Sequence, residues 1–150
     1  MKDPTPTTLV ATCAGGLESV LADEIREAGW IVRFEEAGAV RFAGDERQTG
    51  ADVIAAANLQ LRTASRILLP LARASVRSYD ELYELAARIR WATSIPVTHS
   101  FSVTAVTRDA KLSDYRFAAL RVKDAVVDAQ RRATRQRSSV DRKRPDVPVV

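Results

Sequence analysis

Between positions 131 and 144 the sequence sets seven basic side chains, Arg131, Arg132, Arg135, Arg137, Arg142, Lys143 and Arg144, against a single acid, Asp141. The chemistry open to such a set is the holding of a polyanion. Arginine's planar fork makes paired hydrogen bonds to phosphate oxygens and keeps its charge at any physiological pH. One acid cannot neutralise seven bases, so a phosphate backbone is a better reading of the run than a solvated loop following a helix. Arg116 and Lys123, on the helix leading into the run, can extend the same surface. Asp128 precedes Arg132 by four residues, the order that stabilises a helix, and Arg132 is therefore expected to be partly engaged within the chain.

The other residues capable of chemistry are fewer and each has a plain structural reading. Arg62 and Arg66 flank a helix-to-strand junction, where they can face RNA or a neighbouring domain, or cap the exposed carbonyls of the helix end. Tyr115 and Phe117 have ring faces on which an unpaired base can stack. Their place on an apolar helical stripe argues instead for core packing. His99 is the sole histidine and Cys13 the sole cysteine. A zinc site is poorly supplied by one of each, no nucleophile elbow accompanies the histidine, and Cys13 reads as a small core residue at the end of a strand.

These side chains need elements to position them. Thr7 to Cys13 reads as a strand, and Gly15-Gly16 turns it into a helix with Leu17, Val20, Leu21, Ile25 and Ala28 on one face, ended by Gly29. Trp30 to Glu36 and Ala39 to Phe42 read as two strands around Gly38. Thr49 and Asp52 have capping-box spacing before an alanine-rich helix reaching about Leu61, and Ser65 to Ala74 reads as a closing strand. The order β-α-β-β-α-β is the split βαβ, or ferredoxin-like, arrangement.

The second half opens on Ser78-Tyr79-Asp80-Glu81, another capping box, with Leu82, Leu85, Ala86 and Ile89 as the buried stripe. Trp91 and Ile95 suggest a short helix before Pro96. Ser100 to Thr107 alternates as a strand, and Arg108 to Ser113 as a loop. The long helix from Asp114 has Tyr115, Ala119, Val122, Val126, Ala129 and Ala133 at helical spacing, widened by Phe117, Leu120 and Val127. Val147 begins an extended segment, so strand, crossover helix and strand predict a parallel pair.

Composition restricts the partners. The net charge of +4 conceals an asymmetry, because residues 1 to 75 carry 8 Lys/Arg against 10 Asp/Glu while residues 76 to 150 carry 15 against 9. The surplus of positive charge, and with it the expected contact with a polyanion, lies in the second half. No apolar run approaches the ~18 residues that would span a bilayer, and no basic segment carries the bulky apolar face of an interfacial helix. The N-terminus has no signal-peptide pattern, and one cysteine suits a reducing compartment, so a cytoplasmic location is expected.

Several segments together resemble a known family. They are Ala11 to Glu18, Asn58 to Leu71, Tyr115 to Asp128, Ser139-Val140-Asp141 and Pro145-Asp146-Val147. In this combination the chain resembles the N-terminal portion of bacterial 23S rRNA guanine-N2-methyltransferases that contain a THUMP domain. The resemblance implies an α+β chain: a ferredoxin-like domain over 1–75, then an α/β THUMP domain over 76–150 whose last strands are missing. It implies RNA docking, most specifically to 23S rRNA, in the service of a methyltransferase domain elsewhere.

In that family S-adenosylmethionine is held by a glycine-rich loop, and an Asn-Pro-Pro-aromatic motif performs the transfer. Here every glycine lies at or before Gly50 and Pro-Pro does not occur, so no cofactor site is expected in this chain and the chain alone is expected to be inactive. Two other readings stand beside this one: a THUMP module of another RNA-modifying enzyme, such as a tRNA thiolation enzyme, and a ferredoxin-like protein-interaction or sensing module.

Overall fold

A computed structural model of the chain describes residues 7–45, 47–106 and 112–150. The chain divides into two compact units, Met1–Pro70 and Leu71–Val150. Each has its own core.

In the first unit β1 (Thr8–Thr12), α1 (Glu18–Glu27), β2 (Ile31–Glu36), β3 (Ala39–Ala43), α2 (Gly50–Gln60) and β4 (Arg66–Leu68) follow in order. The four strands form one antiparallel sheet in the order β2-β3-β1-β4, the ferredoxin-like topology that the sequence pattern predicts. Period-two alternation aims Leu9 and Ala11 of β1 and Val40 and Phe42 of β3 at the helices, where they meet Leu21, Ala22, Ile25, Val53 and Ala57. Trp30 closes this core against Phe42, ring centroids 5.6 Å apart. Glu18, in the first turn of α1, accepts from the amides of Gly16 and Gly38, both at 2.8 Å. That carboxylate ties the helix start to the β2–β3 turn, where Gly38 takes φ 75.

Thr49 caps α2 through a complete box, its hydroxyl accepting from the Asp52 amide while the Asp52 carboxylate accepts from the Thr49 amide. The stripe of α1 differs from expectation. Val20 is exposed and Ala22 takes the buried position beside Leu21 and Ile25. The closing strand is also shorter than Ser65 to Ala74. The register puts Leu68 opposite Val10, so the next position facing β1 from that side falls to Pro70, which has no amide to donate.

The second unit contains α3 (Tyr79–Ala87), α4 (Trp91–Ser94), β5 (Phe101–Val103), α5 (Tyr115–Thr134) and β6 (Val147–Val149). β5 and β6 pair in parallel, as the crossover helix between them requires. Expected strand Ser100 to Thr107 is thus three residues long, and Thr107, with 108–111 of the expected loop, lies outside the described residues. Trp91, Ile95, Phe101 and Val126 form the core, and the Trp91 indole donates to the Ala86 carbonyl at 2.8 Å. Of the expected α3 stripe only Ala86 is fully buried; Leu82, Leu85 and Ile89 are half-buried.

Ser78 caps α3 by accepting from the Glu81 amide, but the reciprocal bond goes elsewhere. The Glu81 carboxylate accepts from the Arg77 amide at 2.7 Å. On α5 the buried residues are Ala118, Ala125, Val126 and Gln130. Tyr115 and Ala133, expected on the inner stripe, are exposed. No helix among the described residues is long and apolar enough to cross a membrane.

Candidate nucleic-acid interface

Five of the seven clustered cations follow the end of α5, and their display depends on how that helix stops. Arg131 and Arg132 occupy its last turn, where positive charge meets the negative end of the helix dipole. Arg135 then takes a left-handed conformation, φ 58, and its amide closes on the Arg131 carbonyl at 2.9 Å. The reversal is held from inside. Gln130 is fully buried; its amide nitrogen donates to the Ile95 carbonyl and to the Ser138 hydroxyl, and its oxygen accepts from the Ser138 amide, all at 2.9 Å. Ser138, also buried, donates onward to the Pro96 carbonyl at 3.2 Å. A buried polar pair with each group satisfied specifies one path for the chain. Arg137, one residue before the buried Ser138, is exposed.

The second turn of the basic run is shaped by β5. The Phe101 amide donates to the Ser139 carbonyl and the Phe101 carbonyl accepts from the Asp141 amide, at 2.9 and 3.0 Å. On the opposite edge of the same strand the Ser100 carbonyl accepts from the Val147 amide at 3.0 Å. The chain from 141 to 147 therefore loops around the start of β5 from one edge to the other. Arg142, Lys143 and Arg144 are the outside of that loop.

Two carboxylates brace it. Asp141 accepts from the amides of Lys143 and Arg144, and these bonds, Arg144's first, hold its carboxyl below the usual range. Asp146 accepts from the Ser100 amide at 2.8 Å and from its hydroxyl at 2.7 Å, with the same effect on its own carboxyl.

No ion pair to a carboxylate is present for Arg131, Arg132, Arg135, Arg137, Arg142, Lys143 or Arg144 among the described residues. This corrects the expectation for Arg132. Asp128, four residues before it, instead accepts from the Tyr83 hydroxyl of α3 at 2.8 Å. Lys123 pairs with its neighbour Asp124 at 2.7 Å. Arg116 lies beside the Tyr115 phenol, its Nε 3.3 Å from the hydroxyl.

Tyr115 and Phe117 are 49% and 42% exposed, which removes them from the core to which the helical pattern assigned them. Phe117 packs edge-on against the Tyr79 ring, centroids 4.7 Å apart, at the start of α5. Tyr115, Arg116, Lys123 and Arg142 line one recess against β5.

Arg62 and Arg66 belong to the first unit. Arg62 does not cap helix carbonyls: its side chain, 83% exposed, faces Glu24 at 3.5 Å. Glu24 also accepts from the amides of Arg62 and Thr63 and from the Thr63 hydroxyl. Burial opposes its charge, but the Thr63 and Arg62 bonds outweigh it and hold the carboxyl below the usual range. Arg66 is exposed on β4, an edge strand. His99 meets the Thr98 hydroxyl at 3.2 Å, and Cys13 is half-buried against the first core, its thiol pushed up by burial and by Glu18.

Sequence pattern did not single out Gln130, Ser138 or Arg121. A polar residue within a helix gives no periodic signal of burial, and Arg121 reads as one more solvated base. Its guanidinium instead donates to Asp80 at 2.7 Å and covers the Tyr83 ring at 4.6 Å.

The architecture defines a class: a ferredoxin-like domain followed by a small α/β domain that displays unpaired arginines beyond its long helix. Family models match both units, the RlmL ferredoxin-like domain over residues 8–68 and the THUMP domain over residues 76–150. The chain belongs to the THUMP domain family, here preceded by an RlmL-type ferredoxin-like domain. It is 37% identical over 142 residues to ribosomal RNA large subunit methyltransferase K/L of Syntrophotalea carbinolica, covering 95% of this chain and 19% of that protein.

Against the Marinobacter nauticus protein of the same name it is 38% identical, covering 92% of this chain and 18% of the relative. The crystal structure of a predicted N6-adenine-specific DNA methylase from Listeria monocytogenes superimposes with a TM-score of 0.79 at 28% identity, over 90% of this chain and 35% of that one. The chain thus spans about a fifth of the length of these two curated relatives.

Proposed function

We propose that this chain is the RNA-docking portion of a ribosomal RNA large-subunit methyltransferase. Its partner is 23S rRNA, its location the cytoplasm, and the residues that touch RNA are Arg131, Arg132, Arg135, Arg137, Arg142, Lys143 and Arg144, with Arg116, Lys123, Arg62 and Arg66 as outlying contacts. In this reading the domains divide near residues 75 and 76, and guanine-N2 methylation with S-adenosylmethionine belongs to a domain outside these 150 residues. The observation that carries the reading is the set of seven cations without carboxylate partners among the described residues, two in the last turn of α5 and five on the following segment, which is braced by Gln130, Asp141 and Asp146. Like charges held in a fixed turn are stabilised by a polyanion, and docking by phosphate contacts positions RNA without reading its sequence.

The test is binding of a fluorescent single-stranded RNA across a range of salt. Each phosphate contacted contributes a slope of roughly −0.7 in log K against log salt, so four contacts give about −3. Changing Arg142, Lys143 and Arg144 together to Glu is expected to weaken all RNA sequences alike and flatten that slope while circular dichroism stays unchanged. Wild-type affinity and slope in the folded triple variant would refute the assignment. Calorimetric titration of the chain with S-adenosylmethionine is expected to show no saturable heat.

A further inference from the structure

One recess of the second unit is not accounted for by exposed charge alone. It lies between α3, α5 and the chain returning from α5, and its walls include Tyr83, Arg121, Lys123, Asp128, Arg131 and Arg137. Its two carboxylates are both engaged, Asp124 with Lys123 at 2.7 Å and Asp128 with the Tyr83 hydroxyl at 2.8 Å. Arg131 and Arg137 carry no ion pair among the described residues. The recess is therefore positive and has unused donors.

Arg121 is the residue around which it is built. Unlike the displayed arginines it is held, its side chain only 26% exposed and its guanidinium carbon 4.6 Å from the centre of the Tyr83 ring. Stacking orients the guanidinium plane and removes much of its rotamer freedom before any ligand arrives. The fork is half used. Nε and Nη2 lie along one edge of the guanidinium, the edge that grips two oxygens of a single anion. Here Nη2 donates to Asp80 at 2.7 Å, while Nε is buried with no acceptor among the described residues. A buried donor left unmade is destabilising. Asp80 is 89% exposed, so its attraction to Arg121 is screened by water and readily exchanged.

We infer that this recess is a phosphate site. A phosphate group replaces the Asp80 carboxylate on Nη2 of Arg121, takes up Nε as that buried donor is uncovered, and draws on Arg131 and Arg137 of the recess wall. Asp80 competes for the same edge and sets a threshold that only a doubly gripped anion passes. The inference rests on the RNA reading for the carrier of the phosphate, taken as a backbone phosphodiester. A terminal or free phosphate has the same chemistry, and the experiment separates the sources.

The 15N-labelled chain is titrated with inorganic phosphate, then with short RNA strands with and without a 5′-phosphate, following the arginine Nε–Hε resonances. The Arg121 resonance is expected to shift saturably with phosphate. Arg121→Lys, which keeps the charge and loses the two-donor edge, should weaken phosphate binding about tenfold. Asp80→Asn should tighten it about threefold, the scale of a screened ion pair removed. If RNA lacking the 5′-phosphate moves the same resonance and displaces inorganic phosphate, the carrier is the backbone.

If only 5′-phosphorylated RNA or inorganic phosphate does so, the site stands and its ligand is a terminal or free phosphate, leaving RNA docking to be judged by the triple variant. An Arg121 resonance unmoved by phosphate and by RNA overturns the site, even where RNA binds with a steep salt dependence. So does undiminished phosphate affinity in folded Arg121→Lys. Should that variant fail to fold, Asp80→Asn decides: tighter phosphate binding supports the site, and unchanged or weaker binding overturns it.

Discussion

The first unit and the last third of the second use arginine differently. In the first, Arg26 bridges Asp23 and Glu35, Arg41 is gripped by both oxygens of Glu36, and Arg62 faces Glu24. In the last third of the second, seven basic side chains have no carboxylate partner among the described residues. The two acids that follow α5, Asp141 and Asp146, are turned to backbone amides instead. Arginine ties neighbouring acids at these positions of the first unit and is displayed in the last third of the second, and what decides is where the nearby acids spend their hydrogen bonds.

The cores differ in the same sense. The first is closed by apolar side chains alone, whereas the second is completed by a buried Gln130–Ser138 bracket that fixes the path of the displayed segment.

Each unit carries one tryptophan in its core, Trp30 in the first and Trp91 in the second, so the comparison can be broken unit by unit. Single-tryptophan variants followed in urea report each unfolding separately. The largest effect is expected from Phe42→Ala, about 3–5 kcal/mol for removing a buried aromatic ring, read by Trp30. Next is Gln130→Leu, which orphans the Ser138 amide and the Ile95 carbonyl and should cost about 2–3 kcal/mol, read by Trp91. A Trp91 midpoint that does not move would mean the bracket is not what holds the return of the chain.

Glu24→Gln tests the pairing within the first unit through pH. Because the folded carboxyl is held below its ordinary value, its stabilisation is fully present above the unfolded value of about 4.3 and is lost as pH falls through the folded one. The variant should be about 1 kcal/mol less stable at neutral pH. The gap between variant and wild type should close on acidification; a gap that persists at low pH would sink the assignment.

Asp146→Asn should leave the overall fold unchanged and open the basic loop locally, seen as faster amide hydrogen exchange at Ser100 and Val147. Acidification of the wild type through the lowered Asp146 value should do the same. The smallest effect is expected from Arg62→Glu with Arg66→Glu, where RNA affinity should change by less than in the Arg142, Lys143 and Arg144 reversal at equal salt. A larger loss would move the docking surface to the first unit.

Much of this molecule is written locally in its sequence. The Thr49 box, the Ser78 cap and the basic run each depend on residues within a few positions of one another, so their types and spacing suffice. The βαββαβ order and the parallel strand pair follow from periodicity and connection length, and the resemblance of the chain to the THUMP family rests on the same contiguous segments.

What the tertiary structure alone decided depends on residues far apart in the chain. Glu24 meets Thr63 across thirty-nine positions and Gln130 meets Ile95 across thirty-five. Asp128 chooses Tyr83 over the nearby Arg132, and Arg121 finds Asp80 and Tyr83 on another helix. Hydrophobic periodicity reports which side of an element faces inward, but it cannot report a polar residue that is buried because a distant backbone group waits for it. The hydrogen bond that makes such burial possible exists only once the packed elements have brought its two ends within reach.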